Sequence, residues 1–323
     1  MASTEDSLIA RFFKPLATHP GALGLVDDAA FLTADGGDLV ITTDAIVEGV
    51  HFLPDDPPET IARKALRVNL SDLAAKGATP AGFVLTLALR SFDEAFLAPF
   101  ARAIGEDAIQ FACPLLGGDT VSTPGPLMIS VTAFGRVPPG RMVRRDNATI
   151  GDAVVVTGTI GDAAVGLAIL QGRVTAPDDE SRDALVARYR VPEPRNHLAM
   201  LVRDHATAAM DVSDGLAGDL AKLCAASGVS ATIEVAKVPM SQSVTNLLRQ
   251  NSISIETLLT GGDDYEILCA VPQDRVAAFL DRCQAAATPA SVIGFVRAGS
   301  AIPAFIDAEG RPLVLKRLSY SHF

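Results

Sequence analysis

Aspartates recur in this sequence beside hydroxyl residues and glycines. Asp44 closes Ile41-Thr42-Thr43-Asp44, Asp119 lies in Gly117-Gly118-Asp119-Thr120, and Asp211 and Asp214 bracket Asp211-Val212-Ser213-Asp214-Gly215. Asp27-Asp28 and Asp263-Asp264 are adjacent pairs, the second following Gly261-Gly262. Hard cations such as Mg2+ take oxygen ligands from carboxylates, hydroxyls and water, so Thr42, Thr43, Thr120 and Ser213 extend the donor set. Taken singly, each aspartate is also readable as a turn former or a helix cap.

Asp72 stands in a different setting. Ile61, Ala65, Val68 and Asp72 share one stripe of a helical pattern, and Leu66, Leu70 and Leu73 fill much of the remaining surface. An ionised carboxylate on a helix buried this widely costs several kcal/mol unless it is paired, on the order of magnitude known for buried ions. It is matched either by a cation or by a hydrogen-bonded network with Asn69 and Ser71. A metal site accounts for Asp72 and the other aspartates together.

Arg136, Arg141, Arg144 and Arg145 cluster in an otherwise acidic chain. They read either as a phosphate-recognition group or as a solvated basic loop. Gly117-Gly118 and Gly261-Gly262 either let backbone N–H groups approach an anion or form tight turns. Metal ligands, arginines and glycines without a nucleophile pattern point to phosphoryl transfer, in which protein groups mainly position and neutralise. The sequence has no GxxxxGK[ST] loop, GxGxxG turn, GxSxG elbow, HExxH pair or kinase HRD and DFG set. The run from Asp211 fails as a calcium loop, because its fifth position is Gly215 and its twelfth is Lys222.

Alternating strand and helix patterns must carry these residues, which gives an α/β or mixed α+β chain. Strands are expected at 39–42, 83–89, 115–116 and 127–134, and helices at about 57–76 and 93–111. Asp56 is the expected cap of the first helix and Gly77 its stop. Val137-Pro138-Pro139-Gly140 marks a boundary between domains 1–138 and 139–323. The second domain is expected to hold strands at 153–156, 208–211, 231–235 and 265–271 and a helix at 216–226. Gly158-Thr159-Ile160-Gly161-Asp162 reads as a turn with Asp162 capping a helix, and 177–179 and 192–194 read as surface loops. The aspartates then sit near strand ends, where α/β sheets bind ligands.

The 27 basic and 38 acidic residues leave a net charge of −11, and no basic run exceeds a pair. Such a surface excludes nucleic acid and anionic membranes as partners. No apolar run is long enough to span a bilayer, and Glu5 and Asp6 stand where a signal peptide carries positive charge. The four cysteines form no CxxC pair and read as reduced, buried thiols of a cytoplasmic protein.

Seven segments occur in the order found in the thiamine-monophosphate kinase family: VDDAA, ITTDAIVEGVHF, KALRVNLSDLAAKGATP, LLGGDT, GRMVRRDNATIGD, MDVSDGL and LTGGDDYEIL. The chain resembles that family over nearly its whole length. The resemblance implies the two-domain fold of the aminoimidazole ribonucleotide synthetase superfamily, with an N-terminal sheet used for homodimerisation. It implies ATP-dependent conversion of thiamine monophosphate to thiamine diphosphate with several Mg2+ ions. Residue by residue, Asp28, Thr42, Thr43, Asp44, Asp72, Asp119, Asp211 and Asp214 would be metal ligands, with Asp44, Asp72, Asp119 and Asp211 at the catalytic centre. Gly118, Asp119, Arg145 and Ser213 would contact ATP; His51, Asp263 and Tyr320 would contact thiamine monophosphate. The family pattern has Gly where this chain has Val26, and Glu where it has Asp263.

The implied chemistry needs no general base, because a phosphate monoester with a second pKa of about 6 is largely ionised near neutrality. The barrier is repulsion between two anions, so direct in-line transfer without a phospho-enzyme is expected. The alternatives are another ATP-using enzyme of the superfamily and a non-catalytic nucleotide or divalent-cation sensor. Selenophosphate synthetases carry an N-terminal reactive Cys, whereas the first cysteine here is Cys113.

Overall fold

The computed structural model describes residues 8–20, 22, 32 and 36–319. The chain divides into two units, one reaching Leu73 and resuming over Ala78–Arg141, the other made of Ala74–Gly77 and the residues from Met142.

In the first unit β1 (Asp38–Val47), β2 (Thr79–Leu89), β3 (Leu115–Ser122) and β4 (Met128–Val137) form a four-stranded sheet in the order β1-β4-β2-β3. β4 runs antiparallel to β1 and β2, and β2 runs parallel to β3. Burial alternates without a break along β4, so the sheet has one covered and one open side. Helices α1 (Pro58–Ala75) and α2 (Glu94–Gln110) supply Ile61, Leu66, Leu70, Leu97, Phe100 and Ile104 to the core on the covered side. There they meet Val40, Ile46, Phe83, Leu85, Ile129 and Val131.

Two strands are longer than their patterns predict. β1 continues through Thr43 and Asp44 to Val47, and β3 continues through Gly117-Gly118-Asp119 to Ser122. Both are edge strands, where polar residues and glycines are tolerated because one flank is unpaired. Asp44 and Asp119 are therefore strand-interior residues, not strand ends. The helix starts one residue later than expected, at Pro58, so Pro57 stands between it and Asp56. Asp56 Oδ2 accepts from the Leu53 N–H at 2.8 Å, closing the preceding turn, while the Pro57 carbonyl takes the first helical bond from Ile61. At the other end Gly77, at φ +69°, sits in the left-handed conformation that a helix stop requires, and Ala78 N–H returns to Leu73 O at 2.9 Å.

In the second unit β5 (Ala153–Thr157), β6 (Ala208–Asp211), β7 (Ser230–Glu234), β8 (Ile267–Val271), β9 (Ala290–Arg297) and β10 (Ala304–Ile306) form a six-stranded sheet, β10-β7-β9-β5-β8-β6. Its pairings are antiparallel except β10 with β7. β5 and β8 are buried at every residue because helices cover both sides. The helices are α3 (Asp162–Leu170), α4 (Asp179–Arg190), α5 (Ala199–His205), α6 (Leu216–Ser227), α7 (Gln242–Arg249), α8 (Ile255–Thr260) and α9 (Gln273–Ala285). On one side Val154, Val156 and Leu268 pack with Leu216, Leu220 and Leu223; on the other Val155, Ile267 and Val271 pack with Val202 and Phe279. Asp178 caps α4 by accepting from Ser181 N–H, so the segment read as a surface loop opens a helix. Asp162 is not a cap. Gly161 holds the N-cap position at φ +91°, and Asp162 accepts from the Thr159 and Ser241 hydroxyls, each at 2.5 Å.

Among the described residues no helix is long and apolar enough to cross a membrane. All four cysteines are buried and unbridged. Burial pushes the thiols of Cys113 up to about 12 and of Cys224 and Cys283 up to about 11, and raises Cys269 as well. A thiol-titrating disulfide reagent at pH 8 should accordingly react with none of them rapidly in the native protein and with all four after denaturation. One fast-reacting equivalent in the native state would contradict this burial.

Candidate active site

Asp72 and Thr42 meet in the first unit. Asp72 is on α1, Thr42 on the helix-covered side of β1, and the Thr42 hydroxyl donates to Asp72 Oδ2 at 2.5 Å. The network expected with Asn69 and Ser71 is not formed. Asn69 Nδ2 donates to Ala65 O at 3.1 Å, and the buried Asn69 Oδ1 and Ser71 Oγ have no hydrogen-bond partner among the described residues. Asp44, two residues beyond Thr42, shares the same side of the pleat. Thr43 points to the other side, where its hydroxyl donates to Val131 O at 3.2 Å and accepts from Thr132 at 3.0 Å.

Asp119 stands apart from this group. Asp44 pairs with Val131, Val131 with Leu85 and Leu85 with Gly118, whereas Asp119 pairs with Thr86. Alternation therefore turns Asp119 toward the open side of the sheet, and the strand order puts it about 14 Å from Asp44 across three strand spacings. Gly117 and Gly118 are extended residues of β3, which rules out a tight turn. A Cβ at Gly118 would fall 1.9 Å from the Leu85 carbonyl oxygen. Gly118→Ala should thus lower stability by about 1–3 kcal/mol through overpacking. A thermal midpoint unchanged within a degree would refute that requirement.

His51 lies in the turn after β1. Its Nδ1 accepts from Val47 N–H at 3.0 Å, which places the proton of the neutral ring on Nε2. The same turn is gripped from α1, where the buried Lys64 donates to His51 O at 2.8 Å.

The second unit builds an acidic loop between β6 and α6. Asp211 is the buried last residue of β6. Asp219, wholly buried on α6, accepts from the N–H groups of Ser213 at 3.0 Å and Asp214 at 2.9 Å. Lys222 Nζ bridges Asp214 at 2.6 Å and Asp219 at 2.9 Å. Burial raises the Asp219 carboxyl above its ordinary range, opposed by Lys222. Asp219 shapes this loop and the sequence reading does not name it.

The segment 261–265 packs against the same loop. Asp263 N–H donates to Ser213 O at 2.9 Å and Tyr265 N–H to Val212 O at 2.8 Å. A Cβ at Gly262 would meet Ser213 O at 2.4 Å, so this glycine serves a close backbone approach and not a left-handed turn. The strained residues are its neighbours, Asp263 at φ +73° and Tyr265 at φ +51°, each costing about 1–3 kcal/mol unless the surroundings compensate. Of the basic cluster, Arg144 is committed to Asp146, with Nε–Oδ1 at 2.9 Å and Nη2–Oδ2 at 2.5 Å, while Arg145 is exposed. Asp28 and Tyr320 lie outside the described residues.

Among the described residues no three carboxylate, imidazole or thiol side chains stand together as a metal cluster. The oxygen-only character of Thr42, Asp44 and Asp72 nevertheless fits a hard cation in kind.

Residues 26–137 match the N-terminal domain, and residues 149–306 the C-terminal domain, of the AIR synthase related proteins. The thiamine-monophosphate kinase of Caulobacter vibrioides is 43% identical over 99% of this chain and 91% of its own. The chain belongs to the thiamine-monophosphate kinase family. As a member it is a phosphotransferase with the mixed α/β fold of two AIR synthase related domains. The crystal structure of thiamine-monophosphate kinase from Stenotrophomonas maltophilia superposes with a TM-score of 0.85 at 36% identity, covering 97% of this chain and 99% of that one. A second kinase of the family, AaThiL, solved in complex with AMPPCP and TMP, gives 0.79 at 30% identity over 94% and 97% of the two chains.

Proposed function

We propose that this chain transfers the γ-phosphoryl group of ATP to thiamine monophosphate, yielding ADP and thiamine diphosphate by direct in-line displacement. The observation that carries the reading is the Thr42–Asp72 pair, a strand hydroxyl facing a helix carboxylate, with Asp44 on the same side of the strand as Thr42. The family complex with a nucleotide analogue and TMP supports the choice of donor and acceptor. In this reading Thr42, Asp44 and Asp72 would hold Mg2+ on the helix-covered side of the first sheet, Thr43 and Asp119 would bind it separately on the open side, and Asp28, Asp211 and Asp214 would be further ligands; bound Mg2+ would neutralise phosphate charge. Gly118, Asp119, Arg145 and Ser213 contact ATP, with the exposed guanidinium of Arg145 offering planar phosphate recognition. His51 presents its Nε2–H donor, and Asp263 and Tyr320 complete the acceptor contacts.

We extend the reading to a cytoplasmic homodimer formed through the open side of the first sheet. Leu39, Ile41 and Val121 lie on that side with 48%, 60% and 43% exposure, an apolar surface that a second copy would cover. Light scattering on the purified chain should give twice the monomer mass.

The deciding experiment is ADP release from ATP and Mg2+ with thiamine monophosphate, free thiamine or an aminoimidazole precursor as acceptor. Turnover with thiamine monophosphate alone is expected. Turnover with the aminoimidazole precursor would move the chain to another branch of the superfamily, and nucleotide binding without turnover would make it a sensor. Stable label on the protein from γ-labelled ATP would contradict direct transfer.

A further inference from the structure

Glu266 follows the strained segment 261–265, and its side chain is wholly buried. Four donors reach it: Thr157 Oγ1 at 2.7 Å, Arg188 Nη2 at 2.9 Å, Arg195 Nε at 2.8 Å and Arg195 Nη2 at 2.5 Å. Two cations thus flank this anion, and each also pairs with the exposed Glu193, at 3.6 Å from Arg188 and 3.2 Å from Arg195. Burial works against the charge on Arg195, but its contacts with Glu266 outweigh that and keep the guanidinium protonated. Arg188 Nη2 also donates to the Asp264 backbone oxygen at 3.1 Å, so one guanidinium holds both the side chain at 266 and the chain at 264. A Cβ at Gly158 would lie 2.1 Å from Glu266 Oε1, so the opposing turn is shaped around this carboxylate.

The segment is anchored in alternation. The N–H groups of Asp263 and Tyr265 donate to the loop after β6, while the carboxylates of Asp264 and Glu266 turn into the interior. The Asp264 carboxylate accepts the Gly161 N–H at 2.9 and 3.0 Å. Asp263, immediately before these anchors in the chain, is half-buried. Left-handed conformations at Asp263 and Tyr265 persist only where the surroundings over-determine them. An ion-pair cluster fixes geometry more than it adds stability, since a buried pair often gains nothing over apolar residues of equal volume.

We propose that Glu266, clamped by Arg188 and Arg195, is a positioning residue that holds Asp263 in place for the acceptor phosphate ester. This rests on the reading that Asp263 faces thiamine monophosphate. None of the three clamp residues belongs to the proposed contact set, so their effect must pass through the loop.

The test compares Glu266→Gln with Arg188→Lys, which keeps the charge but on a shorter side chain without the rigid planar guanidinium. Hydrogen exchange over 261–266 should accelerate at least about tenfold in both variants while β5 and β8 keep their protection. The KM for thiamine monophosphate should rise about tenfold or more, with the KM for ATP changed less than threefold. Unchanged exchange in a folded variant would overturn the anchoring. Accelerated exchange with an unchanged acceptor KM would overturn the positioning role, as would equal loss in both KM values tracking the melting temperature. If Glu266→Gln does not fold, Arg188→Lys alone decides. If the wild type does not phosphorylate thiamine monophosphate, the functional reading fails, and unchanged exchange would still refute the clamp separately.

Discussion

Asp72→Asn should yield a folded protein whose turnover falls by about 10²–10³-fold, the scale for losing one preorganised electrostatic group. The substitution keeps the shape of the side chain, and the Thr42 hydroxyl can still donate to the amide oxygen. The stability change should stay within about 1 kcal/mol, because one hydrogen bond to a charged group is exchanged for a neutral one. Only the negative charge is lost, and on the proposed reading that charge would hold the Mg2+ that neutralises the phosphates. Steady-state kinetics beside a thermal melt separate the two effects. Activity within a few-fold of wild type would make Asp72 a structural acceptor for Thr42 and nothing more.

Asp107→Ala should be the most destabilising of the changes considered, by about 3–5 kcal/mol, the range for removing one partner of a buried ion pair. Asp107 is wholly buried on α2. Arg67 of α1 donates to it twice, from Nε at 2.6 Å and Nη2 at 2.9 Å, and Arg63 adds a further ion pair. The Arg67 guanidinium also lies 5.3 Å from the centre of the Phe111 ring. Truncation removes the carboxylate that both arginines share between two helices covering the same sheet, while Arg63 keeps its ion pair with Glu106. Chemical denaturation should show the loss as a lower midpoint with an unchanged slope. A loss below about 1 kcal/mol would show that water enters and solvates the arginines.

The parts of the fold that could be read from sequence are those whose causes are local. The apolar runs of β5 and β8 and the Gly77 stop of α1 announce themselves within a few residues. β1 and β3 were harder, because Thr42-Thr43-Asp44 and Gly117-Gly118 carry turn chemistry that strand pairing overrides. α4 is polar over most of its length and buries only Leu185, Val186 and Tyr189, too little to show a clear period.

The site divides in the same way. Asp72 was legible because a carboxylate on a buried helical stripe demands a partner; the sequence offered a cation or Asn69 and Ser71, and the structure supplies Thr42. Asp219 sends the same signal from α6 but lies outside the repeated aspartate motif. Glu266 was invisible as an anchor because its arginines lie 71 and 78 residues away in sequence. The side of the sheet that Asp119 takes follows from strand order and register, which no single segment encodes.

The ammonium of Lys222 between Asp214 and Asp219 means that this corner of the molecule already holds a cation of its own. An incoming divalent ion at Asp214 would therefore enter by exchange, evicting a resident cation. Occupancy there would be a competition with Lys222, and the loop keeps its shape through Lys222 and Asp219 without an external ion.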